Sequence, residues 1–167
     1  MGGSSMDASG TGARRIPIAS DHAGFELKAK LADALRGMGY EVDDLGTHSD
    51  GSTDYADYAH PLAQAVASGA AERGVLLCGT GLGMSYVANR YERVRAAVAW
   101  SPEVAELARQ HNDANVLVLP ARFVSAEDGE AILRAFLSTS FEGGRHARRV
   151  EKIEREPTVV SQTRGDA

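Results

Sequence analysis

Short apolar runs alternate along this chain with longer segments in which apolar residues recur every three or four positions. The runs of strand length cover residues 15–20, 40–45, 74–78, 94–99 and 115–119. In the first segment of helical spacing, the recurring residues are Phe25, Leu27, Leu31, Leu35 and Met38. Strand-helix-strand units with short loops cross over with a right-handed sense. The alternation therefore predicts an α/β fold, in which a five-stranded parallel sheet is covered by helices on both faces as a three-layer α/β/α sandwich.

The chain is long enough to form one domain with its own core, because it has 167 residues of which 43% are hydrophobic. We assign residues 14–156 to this domain and expect it to be Rossmann-like. Residues 1–13 are small, polar and rich in glycine, so they are interpreted as a disordered arm or an expression remnant. Residues 157–167 are interpreted as a disordered tail.

Charge and composition exclude several classes of function. The formal net charge of −5 argues against a general nucleic-acid or membrane binder, which would show a basic excess. The single cysteine, Cys78, excludes an internal disulfide. The sequence has neither an apolar run of about 18 residues nor the apolar core of a signal peptide. We therefore expect a cytoplasmic protein with no nucleic acid and no membrane among its partners.

Caps mark several helix starts. Ser101 precedes Pro102, and Ser125 opens a capping-box pattern. The predicted helices cover residues 25–38, 55–69, 82–91, 101–110 and 125–137, and a basic terminal helix runs from about 142 to 156. Pro61 lies inside the second of these segments and is an alternative start for that helix.

A glycine-rich loop, residues 78–85, follows the third apolar run. Gly79, Gly81 and Gly83 have no Cβ atoms, so the backbone N–H groups can approach a phosphate, a carboxylate or a developing oxyanion. Met84 occupies the place of the third glycine of a dinucleotide fingerprint, and the lysine of a Walker loop is absent. A tight turn with a buried, unreactive cysteine is the structural alternative.

Polar clusters occupy the ends of the predicted strands. Asp21 and His22 follow the first strand, and the 78–85 loop follows the third. In open parallel sheets, ligands bind at the carboxyl ends of the strands where the strand order reverses, so we expect strands one and three to be neighbours at this switch point. His111 and Asn112 precede the fifth strand, which places them at the opposite edge unless they serve the site of a partner subunit.

Five motifs occur in order along the chain. They are Ser-Asp-His-Ala-Gly-Phe (20–25), Thr-Asp-Tyr (53–55), Cys-Gly-Thr-Gly-Leu-Gly (78–83), His-Asn-Asp (111–113) and Gly-Gly-Arg-His (143–146). With these motifs the chain resembles the family of ribose-5-phosphate isomerase type B and the galactose-6-phosphate isomerase subunits, over about residues 15–155. One departure is Ala56, which stands where proline usually follows the family's tyrosine.

The resemblance implies an aldose-ketose isomerase without metal or cofactor, which moves one proton between C2 and C1 of a sugar phosphate through an enediolate. The leading substrates are ribose 5-phosphate and ribulose 5-phosphate. The implied catalytic residues are Cys78 as the base, Thr80, and His111 and Asp21 for opening of the furanose ring. The implied substrate-binding residues are His22, Tyr55, Gly79, Gly81, Gly83, Ser85, Asn112, Arg122, Arg145 and Arg149.

The position of His111 and Asn112, together with the resemblance, predicts a homodimer or a dimer of dimers with shared active sites. The alanine-rich segment 55–71 is the expected interface.

Several alternatives stay open. Arg145, Arg148 and Arg149 also fit a solvated helix face, to which we assign Arg148. His146 is expected to cap or pack, and His48 and His60 lack a partner at metal-ligand spacing. The substrate can instead be galactose 6-phosphate, allose 6-phosphate or a tetrose phosphate. A non-catalytic sugar-phosphate sensor and a flavodoxin-like domain with an inert loop are alternatives from other classes.

Overall fold

The structure is a computed structural model that describes residues 14–155. The expected N-terminal arm and C-terminal tail lie outside the described residues. The strands are β1 (Arg15–Ser20), β2 (Glu41–Asp44), β3 (Gly74–Cys78), β4 (Ala96–Val98) and β5 (Val116–Pro120). The helices are α1 (Phe25–Gly37), α2 (Tyr55–Ala67), α3 (Leu82–Ala88), α4 (Pro102–Asn112), α5 (Ala126–Ser138) and α6 (Arg145–Glu151), and a short 3-10 turn (His22–Gly24) joins β1 to α1.

All five strands are parallel, in the order β2-β1-β3-β5-β4, which confirms the predicted α/β class. The chain moves from β1 outward to β2 and then returns to β3 on the other side of β1. The strand order therefore reverses between β1 and β3, where Ser20 pairs with Leu77 near the carboxyl ends. The predicted switch point is confirmed at these two strands.

Side chains along each strand alternate between the two faces of the sheet, and each face has its own helices. Val75 and Leu77 belong to the core under α1, α4 and α5. Leu76 and Cys78 belong to the core under α2 and α3. This alternation explains why the Cys78 side chain is buried beneath the helix that follows its own strand.

Helix α2 begins at Tyr55, so the alternative start at Pro61 is wrong. The Pro61 ring is exposed, and the helical carbonyl that loses its donor belongs to Asp57, which is also exposed. Water can therefore replace the hydrogen bond that proline cannot make. No helix among residues 14–155 combines the length and the apolar character that a membrane crossing requires.

Two of the inner helices end at different residues from those predicted. Helix α3 ends at Ala88 rather than at residue 91, because the Asn89 side chain turns to bond the N–H and the C=O of Ala96 at the start of β4. Helix α4 extends to Asn112, where Asp113 terminates it in the left-handed conformation with φ 48°.

The terminal helix α6 is shorter than predicted. It starts at Arg145 because Gly143 and Gly144 have φ angles of 66° and 54°, which an α-helix excludes. The edge strands β2 and β4 are also shorter than the apolar runs that predicted them, since each has only one neighbouring strand.

Candidate active site

A cavity of about 170 Å³ lies at the carboxyl edge of the sheet, at the switch point between β1 and β3. Its lining consists of Asp21, His22, Ala23, Tyr55, Cys78, Gly79, Thr80, Gly83 and Arg122. All of these except Ala23 are residues that the sequence predicts for the site. The cavity is smaller than the roughly 300–1,000 Å³ of sites for drug-sized ligands, so it suits a small metabolite.

Cys78 is the last residue of β3, and its free thiol is almost completely buried. Within residues 14–155, the backbone N–H groups of Gly79, Thr80 and Gly81 have no acceptor. The next N–H group, that of Leu82, donates to Thr80 Oγ1 at 3.2 Å. Three unpaired N–H groups beside a thiol can stabilise a thiolate, a phosphate or an enediolate oxygen.

Glycines let two side chains of the cavity lie directly over the loop. A Cβ atom on Gly83 would lie 2.6 Å from Cζ of Tyr55, and one on Gly79 would lie 3.1 Å from Cζ of Arg122. Gly81 has φ 78°, a conformation that favours glycine, at the N-cap position directly before α3. The loop therefore needs its three glycines for two different reasons, close approach and backbone conformation.

Asp21 and His22 are fixed by backbone hydrogen bonds. Asp21 is buried, and its Oδ1 accepts from the N–H groups of Ala23 and Gly24 at 3.0 and 3.3 Å. Only the second oxygen, Oδ2, is left for a substrate. His22 Nδ1 accepts from the Thr53 N–H at 3.2 Å, so Nε2 is its remaining polar atom.

Ser85 was predicted to bind substrate, but its side chain forms a hydrogen bond within α3 instead. Its hydroxyl donates to the Leu82 carbonyl at 2.7 Å, and its N–H donates to the Gly81 carbonyl. Both donors therefore serve the first turn of α3, and Ser85 does not line the cavity.

His111, Asn112, Arg145 and Arg149 lie apart from this cavity. The first two occupy the last turn of α4 at the amino edge of the sheet, where Asn112 lines a second cavity together with Ala96, the first residue of β4. Arg145 and Arg149 are exposed on α6, which packs against α4. Since a strand rises about 3.3 Å per residue, the length of β5 separates the two edges by roughly 13 Å. The expected separation of His111 from Cys78 within one chain is confirmed.

The ring of His111 is stacked on that of His146, with ring centroids 4.3 Å apart and planes 11° from parallel. His146 is buried, and Glu142 Oε2 lies 3.5 Å from its Nε2. Burial, followed by the charges of His111 and Arg145, lowers the pKa of His146 below 6.5. His146 thus packs, as predicted, and it packs against a predicted catalytic residue.

His111, Glu142 and His146 place ligand atoms within 4.8 Å of one another. A metal bound by two imidazoles must lie near the plane of each ring, and two rings stacked face to face have no common in-plane position. This arrangement does not suit a metal ion.

Two contacts were not predicted from the sequence, one at His22 in the cavity and one at Lys28, which does not line the cavity. The Thr53 N–H holds His22, and Lys28 Nζ lies 2.5 Å from Asp44 Oδ1 although its side chain is only 2% exposed. Partial burial opposes ionisation of Asp44, but hydrogen bonds from Lys28 and from the Gly46 N–H outweigh it and lower the pKa of this carboxyl. A lysine within the apolar spacing of α1 was the available signal.

Known proteins resemble this chain over most of its length. Residues 16–153 match the model of the Ribose/Galactose Isomerase family. Ribose-5-phosphate isomerase B of Escherichia coli K12 is 44% identical over 151 residues, which cover 90% of this chain and 99% of that protein.

Solved structures share the fold. The crystal structure of a ribose 5-phosphate isomerase from Thermotoga maritima has a TM-score of 0.82 and 55% identity, and the match covers 84% of this chain and 97% of that one. Ribose-5-phosphate isomerase B from Mycoplasma genitalium, solved with bound ribulose-5-phosphate, has a TM-score of 0.82 and 43% identity, with coverage of 84% and 94%. The matching family model extends across the cavity and both edges of the sheet. The chain therefore belongs to the Ribose/Galactose Isomerase family.

Proposed function

We propose that this protein is an aldose-ketose isomerase that interconverts ribose 5-phosphate and ribulose 5-phosphate. The observation that carries the proposal is the cavity in which a buried thiol, the unpaired backbone N–H groups of Gly79 and Thr80, and the Asp21 carboxylate meet at the switch point. The substrates named for the relatives in Escherichia coli and Mycoplasma genitalium support the choice of a five-carbon sugar phosphate.

In the proposed reaction, the Cys78 thiolate removes the C2 proton from the open-chain aldose. The C2–H electron pair becomes the C1=C2 bond, and the aldehyde oxygen becomes the enediolate O1. A proton moves from O2 to O1, and the Cys78 thiol then delivers its proton to C1, so that the C2 ketone forms. Unpaired N–H groups of the loop and Thr80 stabilise the enediolate oxygens without having to reorganise.

The proposed site is completed by a second copy of the chain. His111 and Asn112 of one subunit would meet the cavity of the other, with His111 and Asp21 assisting ring opening and Asn112 and Tyr55 binding sugar hydroxyls. Arg145 and Arg149 would join His22 and Arg122 around the phosphate, because arginine provides charged donors for phosphate oxygens. These arginines and Arg122 form no ion pair among residues 14–155, so their donors are available.

Exposed apolar side chains support a homodimer. Leu82, Tyr86, Trp100 and Phe123 are large and exposed, and they lie in the segments that follow β3, β4 and β5. Large exposed apolar side chains are typical of a surface that a partner covers. A shared site would explain why the catalytic groups that the sequence predicts lie at two edges of one subunit. A cytoplasmic location is part of the same proposal.

The test is incubation of the purified protein with ribose 5-phosphate in deuterated water. We expect ribulose 5-phosphate to form and deuterium to enter at carbon, because the abstracted proton exchanges on the thiol. A panel of four-, five- and six-carbon sugar phosphates should give the highest kcat/KM for ribose 5-phosphate. Tight binding without exchange would favour the sensor, and a higher kcat/KM for galactose 6-phosphate, allose 6-phosphate or a tetrose phosphate would replace the proposed substrate.

A further inference from the structure

Lys28 has no place in the proposed chemistry, yet it is among the most deeply buried large side chains of the described residues. It lies on α1, and its ammonium is paired with Asp44 at the end of β2. A buried lysine is costly unless its charge is compensated, so this pair must hold a defined geometry. The Asp44 carboxylate is 32% exposed and also accepts the Gly46 N–H at 3.0 Å.

Asp44 thereby joins α1 to the start of the segment 46–54, which we name the 46–54 loop. The first residues of this loop are bonded to the end of β1: Ser20 N–H donates to the Gly46 carbonyl and Thr47 N–H donates to the Ser20 carbonyl, each at 2.7 Å. The Ser20 backbone directly precedes Asp21 and His22. Displacement of the loop would therefore shift the residues that enter the cavity.

The far end of the 46–54 loop contacts His22 itself, through the Thr53 N–H and Nδ1 at 3.2 Å. A backbone N–H can only donate, so Nδ1 must carry a lone pair and no proton. With this bond in place the imidazole is neutral and its single proton is on Nε2. If His22 were an imidazolium, its Nδ1–H would face the Thr53 N–H, and two donors cannot form a hydrogen bond with each other.

We propose that Lys28 and Asp44 are positioning residues, which lock the 46–54 loop so that the Thr53 N–H fixes His22 as a neutral imidazole with its Nε2–H free for the substrate. This inference rests on the proposed function, because it assigns His22 the part of an uncharged donor to a substrate oxygen. The positive charge that a phosphate needs is then left to the arginines. His22 then supplies a directional hydrogen bond to the substrate and no positive charge.

A double-mutant cycle tests this coupling. Lys28→Met keeps the length of the side chain and leaves Asp44 able to reach water, so the variant should fold. If Lys28 acts through His22, Lys28→Met should lower kcat/KM for ribose 5-phosphate about tenfold, mainly through KM, in the wild-type background. In the His22→Gln background the same change should have an effect of about twofold or less. Lys30→Met, on the exposed side of α1, is the matched control and should have no effect.

An equal decrease of kcat/KM in both backgrounds would overturn the proposal, since a merely structural lysine acts independently of His22.

Two measurements on the full-length protein without substrate keep the result separate from the isomerase activity. Nitrogen NMR of the histidines should show a protonated Nε2 and an unprotonated Nδ1 for His22, identified by its loss in His22→Gln. Hydrogen exchange at the Thr53 amide should be slow in the wild type and fast in His22→Gln. A proton on Nδ1, or fast exchange in the wild type, would overturn the proposal even if Lys28→Met did not fold.

Discussion

Cys78 is the residue on which the proposed chemistry depends most. Cys78→Ser changes the side-chain volume little, so the fold should persist, but a hydroxyl is a much weaker base than a thiolate near neutral pH. We expect kcat to fall about 100-fold or more while substrate binding survives. Steady-state kinetics and a binding titration check this, with the thermal unfolding midpoint as the control for folding. A near-normal kcat would make the cysteine structural and would point to Asp21 as the base.

The substitution Gly83→Ala tests whether Tyr55 belongs to the binding site. In Gly83→Ala the new Cβ would lie 2.6 Å from Cζ of Tyr55, a residue that is 43% exposed, and the ring would have to swing into solvent. We expect the fold to be retained and KM to rise about tenfold as the tyrosine contact is lost. Gly51→Ala is the matched control, because its Cβ would meet only Ser49 Oγ at 3.5 Å. An unchanged KM in Gly83→Ala would remove Tyr55 from the binding site.

Some residues of the cavity follow strands in short motifs and could be predicted from their positions, whereas Tyr55 and Arg122 were predicted from the family resemblance. Asp21, His22 and Cys78 needed only the rule that carboxyl ends of parallel strands meet at one edge. The Thr53 contact to His22 joins residues 31 apart, and the Lys28 ion pair joins residues 16 apart. No local pattern identifies the partners in these contacts, since the first depends on the path of the 46–54 loop and the second on the packing of α1 against the end of β2.

Two exposed arginines on α6, Arg148 and Arg149, have different predicted roles. Arg149→Ala should raise KM for ribose 5-phosphate about 10- to 100-fold, because a hydrogen bond to a charged group contributes roughly 1.5–3 kcal/mol. Arg148→Ala removes another exposed arginine, which we assign to solvent, so the KM of this variant should stay at the wild-type value. A wild-type KM in both variants would indicate that this helix carries only a solvated face.

The contact of α6 with α4 should make stability depend on pH. The pKa of His146 is lowered below 6.5 in the folded protein, so the unfolded chain binds more protons as the pH falls through this range. Stability should therefore decrease as the pH falls below about 6.5, whereas the stabilisation from Asp44, whose pKa is lowered from 3.8, is lost only at still lower pH. His146→Phe keeps a stacking ring without a titrating group. Urea unfolding at pH 7 and pH 5 should show a smaller loss for this variant, and an equal loss would contradict the role of His146.

At the scale of elements, the sequence predicted each strand and helix but not each end. Caps with side-chain donors or acceptors, such as Ser101 and Ser125, were recognised correctly. The end of α3 depends instead on a bond between Asn89 and a strand residue seven positions later, and the start of α6 depends on two glycine φ angles. Both are set by tertiary packing, which helix periodicity does not report.

In the whole molecule, the residues predicted to form the site fall into two separate sets. The sheet order β2-β1-β3-β5-β4 puts the thiol and the glycine-rich loop at one edge, and it puts the last turn of α4 and the arginines of α6 at the other. In the proposed isomerase the two sets act together. We propose that a two-fold dimer brings them together with a single kind of contact, because each subunit would lend one set and receive the other.

Mixing two inactive variants tests this account most directly. Cys78→Ser and His111→Ala should each be inactive as homodimers, and subunit exchange between them should form a hybrid in which one site carries both changes and the other carries neither. We predict that isomerase activity returns to about half of the wild-type level per hybrid dimer. No recovery of activity, when exchange has been verified by mass spectrometry of differently tagged subunits, would place Cys78 and His111 in the same site of one chain and contradict the shared site.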